Sequence, residues 1–117
     1  MVNPSPTFTF GNEIALEDLG NGISRKILAY ENSLLLAQVW FESGSEGYAH
    51  SHPHAQITTV VSGSFQVTID GETAVLNAGD SFYAVPNKVH GMTCLEAGSV
   101  IDSFSPVRED FLVNTKQ

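Results

Sequence analysis

At 117 residues, the chain is one ordinary domain, long enough to bury a core. Hydrophobic residues make up 42% of it, yet no apolar run approaches the roughly 18 residues of a membrane span, which excludes a spanning helix. A net charge of -8 excludes nucleic acid and anionic membrane surfaces as partners, so a bound anion must be met by a metal or by one of Arg25, Lys26, Lys88, Arg108 and Lys116. A lone Cys94 rules out an internal disulfide and fits a reducing compartment. Met1 to Phe10 has neither a basic nor an apolar leader region, so a cytoplasmic location is expected.

In chain order, residues 1–6 are expected to be disordered. Strand-length segments separated by Gly, Asp and Asn turns then dominate. Gly22 to Tyr30 follows the Gly20-Asn21-Gly22 turn. Ser33 to Phe41 is apolar on both parities, as expected of a strand covered on both faces. Ile57 to Val61 is β-branched, and Phe65 to Ile69 alternates cleanly before a turn at Asp70-Gly71. Ala74 to Leu76, Phe82 to Val85, His90 to Leu95 and Ser99 to Phe104 complete the expected strands. Arg108 to Gln117 is a tail or a short helix. Many short strands with regular turns predict a single all-β domain, a sandwich or barrel, over residues 1–117.

The most informative segment is His50-Ser51-His52-Pro53-His54-Ala55-Gln56, which holds three of the four histidines. Imidazole is the commonest neutral ligand of divalent transition metals, and His50-x-His52 on a strand puts both rings on one face. Gln56 shares their parity, and the fourth histidine, His90, comes from a later strand. These four residues are the expected ligands of a divalent transition metal; zinc, nickel, iron and manganese are all compatible with three imidazoles and an amide. A neutral amide leaves the full metal charge in the site, which favours Lewis-acid work and anion binding. His54 is expected at the rim or packed on Pro53. Cys94 is expected to be a small buried residue. Val100, Asp102 and Phe104 share one strand face, where an aspartate is costly unless paired, hydrated or useful. Asp102 is therefore a candidate general acid or base. Arg108 could hold a carboxylate bidentately, although its spacing alone favours a surface pair with Glu109 or Asp110.

The spacing from Gly44 through His50-x-His52 and Gln56 to Gly63 resembles the first motif of the cupin superfamily, with Gln56 where most members have Glu. Gly79-Asp80 followed by His90 resembles the second motif. There Pro86 is displaced by one, Asn87 stands where Gly is usual, and Cys94 stands where Asn is usual. The resemblance implies a double-stranded β-helix, or jelly roll, with the metal inside its open end. A narrower resemblance, to the small KdgF cupins of pectin and alginate breakdown, rests on three stretches. They are Asp18-Leu19-Gly20 with Gly22-Ile23-Ser24-Arg25-Lys26-Ile27-Leu28, the histidine segment, and Asp102-Ser103-Phe104-Ser105-Pro106 with Arg108-Glu109-Asp110-Phe111-Leu112. It implies conversion of 4,5-unsaturated monouronates, small anionic sugars, to the linear keto acid. Asp102 would then move protons and Arg108 would hold the anion beside the metal. Phe104 would wall the sugar, and Gln38 and Arg25 would be further contacts. Small cupins commonly pair, so a homodimer is expected. The alternatives are another metal-dependent cupin enzyme, a lyase or dioxygenase acting on a small carboxylate, and a non-catalytic sugar-binding cupin.

Overall fold

Four of the expected strands fuse pairwise into two long ribbons. In the computed structural model, which describes residues 1–112, Ala55–Ile69 is one strand and His90–Ser105 is another. In chain order the strands are β1 (Glu17–Gly20), β2 (Ile23–Glu31), β3 (Leu34–Phe41), β4 (Glu46–His50), β5 (Ala55–Ile69), β6 (Glu72–Asn77), β7 (Ser81–Ala84) and β8 (His90–Ser105). A four-residue helix, α1 (Glu109–Leu112), begins the expected tail, and residues 113–117 lie outside the described part. Two short strands, β1 and β4, escape sequence reading because each lacks an apolar alternation. Among the described residues no helix is long and apolar enough to cross a membrane.

The ribbons β5 and β8 pair antiparallel along their whole length, in two registers joined by a bulged bend. Gln56 opposes Phe104 and Thr58 opposes Asp102, whereas beyond the bend Phe65 opposes Cys94 and Val67 opposes Met92. The bend depends on two glycines. A Cβ on Gly98 would sit 2.0 Å from the carbonyl oxygen of Ser62, and one on Gly63 would sit 2.5 Å from that of Glu96. These close backbone approaches let the paired ribbons fold over, where sequence alone reads two separate turns. The half of the ribbons before the bend in β5 is flanked by β3 and β7, and the other half by β4 and β6. That crossing of antiparallel sheets is the jelly roll. Gly98→Ala should therefore destabilise the protein by about 3 kcal/mol, the upper range for overpacking. Urea unfolding measures it, and a loss under about 1 kcal/mol would contradict the close crossing.

Burial alternates along β3. Leu35, Ala37, Val39 and Phe41 point inward, while Leu36, Gln38 and Trp40 are half-buried on the other face. The expectation of full cover on both faces is thus corrected. The outer face is only partly shielded, in part by Lys26, whose Nζ lies 5.8 Å from the Trp40 ring and donates to the carbonyl of Gly11 at 2.7 Å. Positive φ at Asp70 and Gly71 makes the tight hairpin between β5 and β6 that the sequence predicts. Asn87 adopts φ 68°, the left-handed turn that Asn tolerates in place of Gly. Residues 1–6, expected to be disordered, run beside the end of β2. There Ser5 N–H donates to Tyr30 O at 3.0 Å and Tyr30 N–H donates to Ser5 Oγ at 3.0 Å.

Two apolar clusters fill the interior. One gathers Val39, Phe41, Val60, Phe65, Val67, Cys94 and Val100, with the Phe41 and Phe65 rings edge-to-face at 5.2 Å. Cys94 is buried there as a small apolar side chain, and its burial pushes the thiol pKa up. The other gathers Ile27, Leu35, Ala37, Phe104, Val107 and Leu112. Polar side chains meet at the cavity between them.

Candidate metal centre

β4 ends at His50, and Ser51 to His54 form the connection into β5, so His50 and His52 do not share a strand as expected. They converge by another route. His50 opposes His90 across the β4–β8 pair, with ring centroids 4.5 Å apart. His52 swings in from the connection, 5.6 Å from His50 and 4.9 Å from His90. The connection is pinned by Asn87 N–H, which donates to His52 O at 2.7 Å. Gln56 enters from the start of β5.

Each ring is fixed by the same device. Nδ1 of His50 lies 2.7 Å from Tyr48 O, Nδ1 of His52 lies 2.9 Å from His54 O, and Nδ1 of His90 lies 3.0 Å from Lys88 O. A carbonyl can only accept, so each Nδ1 carries the proton and each Nε2 presents a lone pair. The ligand nitrogens of the three histidines lie within 4.8 Å of one another. His90 Nε2 is buried without a hydrogen-bond partner. Burial, first, lowers the pKa values of His52 and His90, so both rings stay neutral at neutral pH.

Gln56 completes the donor set. Its Nε2 donates to Thr58 Oγ1 at 2.9 Å and to Asp102 Oδ1 at 3.3 Å, so its Oε1 must face the histidines. That Oε1 lies 3.0 Å from His52 Nε2. Two lone pairs facing at this distance repel unless a cation lies between them, and the lowered His52 pKa disfavours a proton. The donor set therefore fits a divalent transition metal held by His50, His52, His90 and Gln56. His54 is outside this group; its carbonyl orients His52, and its ring stands 5.6 Å from the His52 ring.

Asp102 faces the same cavity from β8. Thr58 Oγ1 donates to Asp102 Oδ1 at 2.6 Å. Burial dominates its titration and raises its pKa, against the hydrogen bonds from Thr58 and Gln56 and the charge of Arg108. Because Oδ1 already accepts two bonds, a proton on this carboxyl belongs on Oδ2. Thr58 was not singled out from sequence, although Gln56-x-Thr58 shares the inward parity and could have signalled it.

Arg25, His50, Gln56, His90, Asp102, Phe104, Arg108 and Phe111 all line one cavity of about 210 Å³. The Arg108 guanidinium lies 4.9 Å from the Phe104 centroid and pairs with Asp110, as its spacing favoured, without leaving the cavity wall. Gln38 is not brought to the site. It lies on the outer face of β3 and donates to Ser99 Oγ at 3.1 Å, because only odd-numbered residues of that strand point inward.

A model of the Cupin domain matches residues 38–102. The chain is 48% identical over 103 residues to the pectin degradation protein KdgF of Dickeya dadantii (strain 3937), covering 86% of this chain and 94% of that one. The chain belongs to the KdgF family of cupins. Solved structures agree. A cupin from Shewanella frigidimarina superposes with a TM-score of 0.92 at 44% identity, covering 94% of this chain and 99% of that one. KdgF from a Halomonas species superposes with a TM-score of 0.88 at 41% identity, covering 92% and 100%. Within this cupin, His50, Gln56 and His90 of the donor cluster line the same cavity as Asp102, Arg25 and Arg108.

Proposed function

We propose that this cupin opens the ring of 4,5-unsaturated monouronates, giving the linear keto acid. The observation that carries this reading is one cavity in which a carboxyl with raised pKa, Asp102, meets His50 and His90 of the three converging imidazoles together with Arg25 and Arg108. The KdgF relative is a pectin degradation protein, and unsaturated uronates are the small acids that the family resemblance implies. A cavity of about 210 Å³ is smaller than the ~300–1,000 Å³ of drug-sized sites, which suits a single sugar rather than a polymer.

In this substrate the C4–C5 double bond carries the ring oxygen and the carboxylate on C5. Asp102, protonated on Oδ2, delivers its proton to C4. Water adds at C5, and its proton restores the Asp102 carboxyl. The C5 hydroxyl of the resulting hemiketal then gives up its proton as the C5–ring oxygen bond breaks, the ring oxygen takes up a proton, and the chain opens as a C5 ketone. The sequence is redox-neutral and returns its water when the terminal aldehyde forms. Thr58 and Gln56 hold Oδ1, so Oδ2 stays aimed and the proton is delivered from a fixed position. Arg108 holds the substrate carboxylate, and Phe104 provides an apolar wall against the sugar ring. A divalent metal held by His50, His52, His90 and Gln56 would supply Lewis-acid polarisation of a substrate oxygen.

Nuclear magnetic resonance in heavy water tests the reaction. The expected product is the open-chain keto acid carrying one solvent deuterium on C4. Recovery of the unsaturated sugar, or oxygen consumption with an oxidised product, would reject ring opening. The same reading supports work in the cytoplasm, on monomers that arrive after depolymerisation. The exposed apolar residues Ile57, Tyr83 and Val85 support a homodimer, checked by the mass in solution.

A further inference from the structure

Two arginines are held beside the cavity by one repeated arrangement. Arg25 Nε and Nη2 donate to Glu17 Oε1 and Oε2 at 3.3 and 3.2 Å. Arg108 Nε and Nη2 donate to Asp110 Oδ1 and Oδ2 at 3.0 and 2.8 Å. Each guanidinium also lies over the same ring, that of Phe111, at 4.1 Å for Arg25 and 4.2 Å for Arg108. Both side chains are nearly covered, at 13% and 12% exposed. The fork to each acid uses two of the five N–H donors of an arginine. The Nη1 group and one Nη2 hydrogen of each remain on the side away from the acid. Phe111 is itself braced edge-on by Phe104 at 5.4 Å.

Crowding two guanidinium groups against one ring costs repulsion, which the ring face and the two acids offset. Neither arginine is needed to fill the apolar core. The pairing makes sense if an anion completes it, and both residues line the cavity that contains Asp102. We infer that Phe111 is a positioning residue that holds Arg25 and Arg108 together as a two-arginine receptor for the carboxylate of a uronate. This rests on the proposed uronate substrate. β2, through Arg25, and the Arg108–Phe111 segment at the start of α1 thus supply the substrate's anion site, while β4, its connection to β5, β5 and β8 supply its metal and acid.

Galacturonate, a saturated uronate without the C4–C5 double bond that the reaction consumes, is the probe, titrated calorimetrically into the metal-loaded full chain. Phe111→Leu should weaken its binding about tenfold with metal content unchanged, and Phe111→Tyr should restore it. In turnover of the unsaturated sugar, Phe111→Leu should raise KM by a similar factor and leave kcat within about twofold. Arg25→Gln, which spares the ring, should weaken galacturonate binding likewise should the leucine variant fold poorly. Wild-type galacturonate affinity in either variant overturns the receptor. If the wild type binds galacturonate yet leaves unsaturated uronates unchanged, ring opening fails and the receptor stands. If the wild type turns them over while Phe111→Leu keeps its affinity and KM, the receptor alone fails.

Discussion

Replacing Asp102 by asparagine is expected to lower kcat by about 10²- to 10⁴-fold, the usual worth of a positioned general acid. Asparagine keeps the shape and can still accept from Thr58, so metal content and fold should survive. What it loses is the transferable proton, which burial keeps on this carboxyl above the ordinary carboxylate pKa. The same change has a stability signature in the metal-free protein. A carboxyl whose folded pKa is raised binds more protons folded than unfolded between the two values. Its contribution is therefore fully present below the ordinary value of 3.8 and is lost as pH rises through the folded one. Raising the pH from about 4 to about 8 should thus favour Asp102→Asn over the wild type in thermal unfolding. A constant difference in Tm across that range would mean that Asp102 is not buried as an acid. Undiminished turnover would remove it from the mechanism.

Replacing His90 by alanine should abolish turnover and metal retention together. Its Nε2 is buried with no protein partner, and its ring faces both His50 and His52. Removing it leaves three donors from β4, its connection and β5, with nothing from β8. Metal affinity should fall by at least about 100-fold, more than for the loss of an outer-shell partner. In the wild type, free metal at a hundredfold excess over its Kd should add about 2.7 kcal/mol to stability. The alanine variant should gain under about 1 kcal/mol at the same concentration. Metal analysis of the purified protein and melting with and without added metal make the comparison. Equal metal stabilisation of the two proteins would exclude His90 as a ligand.

Much of the site was legible because strand parity carries it. Val100-x-Asp102-x-Phe104 reads as one inward face, and the structure has Val100 and Phe104 buried with Asp102 between them. The histidine cluster was legible from composition, although not its geometry. Pro53 belongs to a connection rather than a strand, so His52 reaches His90 from a loop. Gln38 was misplaced because β3 carries apolar residues on both parities, and side-chain type could not tell its inner face from its outer one. The fusion of β5 and of β8 was hidden for a related reason. Gly63 and Gly98 look like turn residues, and only the opposing backbone shows that they mark a crossing. The Arg25–Phe111–Arg108 stack joins the two ends of the described chain. Such a contact leaves no local pattern to read.

The most direct test of the account is a time course with 4,5-unsaturated galacturonate, following its conjugated ultraviolet absorption. Absorption should decay faster with the protein than without it, a chelator should abolish the acceleration, and added divalent metal should restore it. Decay at the uncatalysed rate with metal-loaded protein would contradict the account.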